Sequence, residues 1–176
     1  MHPIFTMQYG EFAAADELRE KLKASVFVPA SAQEKEIDFL LYRPGRSGGR
    51  VVTVQVKTSR SYSGKHRQNF WFNRFVPGEN ADWFLLFCLY PKLSADADSG
   101  VGAVDWDHVI LAFRQAEMKA FLDELHLKKN PEKPDSKFAV AFDRKTVVFQ
   151  TRGCGEERDI SRFLLSNRLP ELQADL

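Results

Sequence analysis

Cysteine is scarce in this chain of 176 residues, which has only Cys88 and Cys154. Two cysteines so far apart provide neither the spaced ligand cluster of a structural zinc site nor a disulfide framework. The longest apolar run, from Trp83 to Tyr90, is far below the roughly 18 residues that a membrane-spanning helix requires. The N-terminus also lacks the basic region and apolar stretch of a secretory signal. These absences predict a soluble, cytoplasmic protein with no membrane partner.

Acidic residues are missing from one long stretch of the chain. Residues 39–78 contain no Asp or Glu and eight basic residues, although the net charge of the whole chain is only +1. Such an asymmetry is typical of a surface that binds a polyanion such as DNA. A solvated basic loop balanced by acidic helices elsewhere is the alternative. The residues predicted to contact nucleic acid are Arg43, Arg46, Arg50, Arg60, Lys65, Arg67 and Arg74.

The pattern of apolar residues predicts a single α/β domain over residues 1–176. Apolar stripes indicate helices at 10–24 and 115–127, and alternation or apolar runs indicate strands at 26–28, 36–42, 51–57, 69–75, 83–90 and 109–113. A hairpin is expected over 138–150, followed by a last helix that starts near Asp159. We expect a motif core at about 8–113 and a C-terminal hairpin and helix at 137–172. Trp71 is expected in the core and the tail beyond Pro170 to be loose.

Three polar residues on the predicted hairpin of 36–57 form the most informative pattern. If Tyr42 pairs with Val51, Asp38 lies opposite Gln55, and Asp38, Gln55 and Lys57 project from one face of the sheet. A carboxylate and an amide oxygen can hold a hard divalent ion such as Mg²⁺. A lysine beside that ion can orient an attacking water or neutralise charge on a phosphate. The pattern therefore predicts metal-assisted hydrolysis of a phosphodiester.

Glu11 is a further candidate ligand on the first helix. It lies on the same helical stripe as the apolar residues that face the core, and a carboxylate there is rarely buried without a partner. A metal shared with Asp38 would supply that partner. The alternative is a residue of the first turn that is stabilised by the helix dipole.

Three short segments resemble the PD-(D/E)xK nuclease superfamily: Gly10-Glu11, Ile37-Asp38-Phe39 and Val54-Gln55-Val56-Lys57-Thr58. The likeness covers about residues 8–60 and is greatest to compact bacterial endonuclease-like proteins and to group I intron homing endonucleases of this fold, which have a Gln-Val-Lys motif. It implies a restriction-endonuclease-like core, with a mixed central sheet flanked by helices. The expected order is a helix, a three-stranded meander, then a further helix and strand. It also implies cleavage of DNA with Mg²⁺ or Mn²⁺.

The resemblance assigns a role to each residue of the motif. Asp38 would be the central metal ligand, Lys57 the catalytic lysine and Glu11 the helix ligand. Gln55 stands where the family usually has a second acid, which implies weaker metal binding. Two alternatives stay open: a non-catalytic nucleic-acid-binding module on a decayed nuclease fold, and a structural domain in which Asp38 and Lys57 form an ion pair. Cleavage of both strands would favour a homodimer, although no dimer face is evident.

Overall fold

The computed structural model describes residues 9–29, 36–45, 48–61, 67–72, 77–92, 106–127, 137–143, 147–152 and 157–176. In these residues the helices are α1 (Tyr9–Leu22), α2 (Gln115–Leu127) and α3 (Leu165–Asp175), with a 3-10 turn at Ser161–Phe163. The strands are β1 (Ser25–Phe27), β2 (Phe39–Arg43), β3 (Arg50–Arg60), β4 (Arg67–Phe72), β5 (Trp83–Pro91), β6 (Trp106–Arg114), β7 (Phe138–Asp143), β8 (Val147–Arg152) and β9 (Arg158–Asp159). No described helix is long and apolar enough to cross a membrane.

The described strands form two sheets, so the predicted α/β class is confirmed. The first is a mixed sheet of five strands in the order β1-β2-β3-β5-β6, and the second has four strands in the order β4-β7-β8-β9. In the first sheet β1, β2 and β3 are an antiparallel meander, β5 runs parallel to β3, and β6 is antiparallel to β5. The predicted pairing of Tyr42 with Val51 is confirmed.

Each face of the five-stranded sheet has its own apolar core. α1 covers one face, where its buried stripe packs against Phe39, Val54 and other residues of the meander. The other face, around Phe84 and Phe113, packs against α2 and the second sheet. Because both of its faces are covered, β5 is apolar throughout, as the sequence predicts. The stripe predicted for α1 is also confirmed, and its members are Ala14, Ala15, Leu18 and Leu22.

In the segment between β3 and β5, the strand predicted at 69–75 is confirmed as β4, at the place where the family resemblance implies a crossover helix. β4 pairs with β7 in the second sheet. Phe70 and Phe72 point from β4 into the core, whereas the alternate residues point outward. Trp71 is one of these outward residues and is 44% exposed, so its predicted place in the core is wrong.

The C-terminal region is more ordered than the sequence predicts. Asp159 precedes the 3-10 turn and not the last helix. Its Oδ1 accepts the backbone N–H of Ser161 (2.7 Å) at the start of that turn. α3 begins at Leu165 and continues through Pro170. The expectation of a loose tail is wrong, since Leu172 is buried in the core beneath α1.

Candidate active site

Asp38 lies at the point where β2 begins, beside β3. Its backbone N–H donates to the carbonyl of Val54 (2.9 Å), and its Oδ2 accepts the backbone N–H of Val56 (2.5 Å). The carboxylate thus takes the place of a strand carbonyl and lies near the plane of the sheet, instead of projecting fully from one face as predicted. It is adjacent to Gln55, as the register from Phe39 opposite Val54 requires.

The environment of Asp38 disfavours its charged form. Burial raises the pKa of this carboxyl above its ordinary value, although the hydrogen bond from Val56 and the charge of Lys57 both act to lower the pKa. Its other oxygen, Oδ1, accepts no hydrogen bond from a described residue. A cation close to Asp38 would therefore stabilise the ionised form, which the protein alone leaves under-compensated.

Lys57 is exposed and has the same orientation on β3 as Gln55, two residues before it. Its charge is close enough to Asp38 to lower the pKa of that carboxyl. It makes no hydrogen bond or ion pair with any described residue. The ammonium group is therefore available to an anionic ligand.

Gln55 is only 5% exposed because the backbone at 77–79 covers it. Its Oε1 accepts the N–H of Gly78 (3.3 Å), and the carboxylate of Glu36 accepts the N–H of Glu79 (3.2 Å). A Cβ on Gly78 would lie 2.3 Å from the Cβ of Glu36, so only glycine allows this close approach. Gln55 therefore anchors a loop. Sequence reasoning missed this role and the part played by Glu36, for which the Pro77-Gly78 turn was the one available signal.

Glu11 is half-buried in the first turn of α1. The preceding residue, Gly10, packs on β3 so closely that a Cβ there would lie 2.1 Å from Oγ1 of Thr58. α1 therefore begins at the same end of β3 as Lys57. Among the described residues no three His, Cys, Asp or Glu side chains form a group that could hold a metal. α1 packs on the face of β3 that carries Val56 and Thr58, whereas alternation directs Gln55 and Lys57 to the opposite face, so the structure does not bring Glu11 together with the amide of Gln55.

Of the described arginines predicted to bind nucleic acid, Arg43, Arg50 and Arg60 lie on β2 and β3, whereas Arg67 lies on β4 of the second sheet. Their contact with nucleic acid stays a prediction. Arg43 and Arg50 are paired across β2 and β3, on the face that α1 covers, and Arg50 Nη1 donates to the carbonyl of Ala174 (2.9 Å). Arg60 lies ten residues beyond Arg50 on the same strand, at a distance of roughly 33 Å along it.

Arg60 and Arg67 already have partners within the fold. The guanidinium of Arg60 lies 5.4 Å from the ring centroid of Trp106. Arg67 is on the second sheet, where it pairs with Glu157. Arg50 and Arg60 point to the same face of β3 and are separated by the length of the strand, and Arg67 lies on the other sheet. The other predicted contacts, at positions Arg46, Lys65 and Arg74, lie outside the described residues.

Comparison with known proteins gives no relative from which a role could be transferred. No protein-family model matches this chain, and neither the curated proteins nor the solved structures contain a significant match. The functional argument therefore depends on the geometry around Asp38.

Proposed function

We propose that this chain is a metal-dependent DNA endonuclease with a restriction-endonuclease-like core. The observation that carries the proposal is that a desolvated carboxylate, Asp38, lies close to an exposed lysine, Lys57. Lys57 makes no hydrogen bond or ion pair with a described residue. An acid with a raised pKa beside an unpaired base is typical of a functional site. An acid and a base that only stabilise a fold usually form a direct ion pair.

The order of the secondary structure elements supports the proposal. α1 is followed by the β1–β2–β3 meander, and β5 then runs parallel to β3. This is the order that the resemblance implies, except that β4 stands where a crossover helix is expected. The candidate residues lie at the start of β2 and in the second half of β3, as in the motif.

A divalent ion that keeps most of its water requires few protein ligands, and Asp38 could supply one. Mg²⁺ is commonly held by one or two carboxylates together with phosphates of the substrate. Asp38 would hold it through Oδ1, and substrate phosphates and water would supply the other ligands. When bound, the ion would polarise the phosphate and lower the pKa of a bound water. Lys57 would bind the phosphate and neutralise the negative charge that develops on it.

A second candidate is a non-catalytic nucleic-acid-binding module on the same fold. The observation that favours it is the hydrogen bond between Gln55 and Gly78. This contact gives the amide a structural role at the position where the nuclease motif usually has an acid. A decayed site would keep Lys57 for phosphate binding and would lose the metal.

A cleavage assay separates the two candidates. We expect Mg²⁺- or Mn²⁺-dependent cutting of linear, nicked, single-stranded or branched DNA by the wild type, and loss of at least a hundredfold in rate for Asp38→Asn and Lys57→Ala. Asp16→Asn and Lys119→Ala are matched controls, because both residues are exposed on helices. Cutting by Lys57→Ala at the wild-type rate would contradict the nuclease proposal.

Gln55→Glu tests whether the amide is a weak ligand or a purely structural group. The carboxylate can still accept the N–H of Gly78, and it adds the negative charge that the motif usually has. An active site should then bind Mn²⁺ more tightly by calorimetry, with activity kept or raised. Wild-type and variant protein that are both inactive with either metal on all these DNA forms would favour the binding module.

A further inference from the structure

We infer that Trp71 of β4 stacks on an unpaired base of the DNA whose phosphate Lys57 binds. This inference rests on the proposed function, because it adds a base-binding residue beside the phosphate site and names the form of DNA that the site takes. The sequence places Trp71 in the core, whereas the structure leaves 44% of this residue exposed. The exposed part of the indole is accessible to a ligand.

Ser59 connects Trp71 to the strand that carries Lys57. The hydroxyl of Ser59 donates to the backbone carbonyl of Trp71 (2.9 Å) and accepts the backbone N–H of the same residue (2.9 Å). Ser59 and Lys57 have the same orientation on β3 and are two residues apart, or roughly 7 Å along the strand. The exposed residues Lys57 and Trp71 therefore lie beside the same contact between the two sheets.

The covered part of β3 lies on the other side of Lys57. Gln55, which accepts the N–H of Gly78, is two residues before Lys57. Thr53, which donates to the carbonyl of Asn80 (2.8 Å), is farther back on the strand. Ser59 follows Lys57, so the path along β3 from Lys57 to Trp71 does not pass these covered residues. A ligand that is held at Lys57 can therefore extend to β4.

The backbone of Trp71 is held on both sides. β4 pairs with β7 on one side, where Ala139 lies opposite Trp71, and the hydroxyl of Ser59 holds the other side. Ala139 is too small to extend over the indole of its cross-strand neighbour. A ring on a fixed backbone has little conformational freedom to lose on binding. Such a ring can stack on any base, because every base has a π face.

The two residues match the two parts of a nucleotide. Lys57 makes no hydrogen bond or ion pair with a described residue, and a phosphate would supply the complementary charge. Trp71 supplies an aromatic surface for the base, and Asn69, which is exposed on the same face of β4, adds an amide that can bond to a base edge. Bases in a duplex are stacked on one another, so an indole stacks readily only on an unpaired base.

Intrinsic fluorescence tests the inference directly, because stacking on a base quenches an exposed indole. The probe is oligo(dT) of about 12 nucleotides, compared with a duplex of the same length and with dTMP, all in EDTA so that no cleavage occurs. We expect oligo(dT) to quench the emission and to bind at least about tenfold more tightly than the duplex or dTMP. Of the three tryptophans, Trp83 is 1% exposed and Trp106 lies under the guanidinium of Arg60, so Trp71 should be the one that is quenched.

Trp71→Leu keeps an apolar side chain without a ring. It should weaken the binding of labelled oligo(dT), measured by anisotropy, about fivefold to a hundredfold. The slope of log Kd against log salt concentration should stay the same, since stacking neutralises no phosphate. Phe12→Leu is the matched control, because Phe12 is 52% exposed on α1, and it should bind like the wild type. Thermal unfolding of each variant verifies that the fold is kept.

Four outcomes would overturn the inference. They are emission that oligo(dT) does not quench, binding of the duplex or dTMP as tight as that of oligo(dT), unchanged affinity in Trp71→Leu, and a wild-type dimer that Trp71→Leu converts to a monomer. The last would show that a second copy of the chain covers the indole. Failure of the proposed function is distinct: single-strand binding that depends on Trp71, without cleavage in any metal, would refute the nuclease and leave this inference standing.

Discussion

Two groups of charges near the start of the β3–β5 pair differ in how they are paired. At the end where these strands begin, Arg168 is only 8% exposed and is bound to Glu117 (2.5 Å) and Glu171 (2.7 Å). Arg114 at the same end pairs with Asp175 (3.0 Å). Only one to three residues of β3 beyond this paired end, beside Gln55 and Lys57, Asp38 has a raised pKa and Lys57 has no partner among the described residues.

The paired end shows what charges do when they serve the fold. The ring of Trp83 has the guanidinium of Arg114 at 5.4 Å and that of Arg168 at 5.1 Å from its centroid, and its indole N–H donates to Asp175 (3.0 Å). These contacts attach α3 to the sheet. Since the charges at the paired end are joined within the fold, the contrast with Asp38 and Lys57 is the reason for the proposed site.

The largest expected effect is on the paired end. Arg168→Ala removes the ion-pair partner of Glu117 and one of the two arginines beside Glu171, and we expect the free energy of unfolding to fall by about 3 kcal/mol in urea denaturation. Arg162→Ala removes an exposed arginine that lies over Phe163 and should cost less than about 1 kcal/mol. Equal losses for the two variants would contradict the structural role of the paired end.

The sequence predicts local patterns well and long-range partners poorly. The helical stripe of α1 and the register of Tyr42 with Val51 both follow from periods that are visible within a few residues. The pairing of β4 with β7 joins residues about seventy positions apart, and no local signal specifies it. Trp71 was misplaced because both apolar and polar residues alternate around it, so the inward face depends on that distant partner.

The candidate site shows the same division. The sequence predicts that Asp38, Gln55 and Lys57 are neighbours, because the hairpin register is local. It does not predict that Gly78 reaches Gln55, or that Arg43 and Arg50 face α1. Counting charges in a stretch says nothing about direction, since adjacent strand residues point to opposite faces. The exposure of Phe27 likewise depends on distant elements, because α2 and the second sheet cover only the part of its sheet face around β5 and β6.

Glu17 provides a pH test with an intermediate effect. Its pKa is lowered mainly by the hydrogen bond with His108 (2.7 Å), with a contribution from Lys21. A depressed pKa contributes stability above the ordinary value of 4.5 that is lost as the pH falls through the lower folded-state value. We expect Glu17→Gln to reduce the free energy of unfolding by about 1 kcal/mol at pH 6, and the difference from wild type to vanish in acid. A difference that persists in acid would show that the charge is not its source.

Asp38 should show the opposite pH dependence, with a smaller change. Its raised pKa means that the wild type loses stability as the pH rises from the ordinary value of 3.8 through the higher folded-state value. Asp38→Asn should therefore be the more stable protein at pH 7 without metal, and the advantage should disappear below pH 3.8. Mn²⁺ should raise the Tm of the wild type and leave that of the variant unchanged. Destabilisation by Asp38→Asn at pH 7 would instead indicate a structural carboxylate.

The smallest expected effect compares one lysine and one arginine in DNA binding. If Lys57 contacts a phosphate of a single strand, Lys57→Ala should reduce the slope of log Kd against log salt concentration by about 0.7, because one fewer counterion site is neutralised. Arg50→Ala should leave the slope unchanged, since Arg50 lies on the α1 face and donates to the carbonyl of Ala174. Both variants lose one positive charge, so net charge alone would change the two slopes equally. A flatter slope for Arg50→Ala with an unchanged slope for Lys57→Ala would place the DNA at Arg50 instead of Lys57, and the contrast between the paired charges and the Asp38 group would fail as a guide to function.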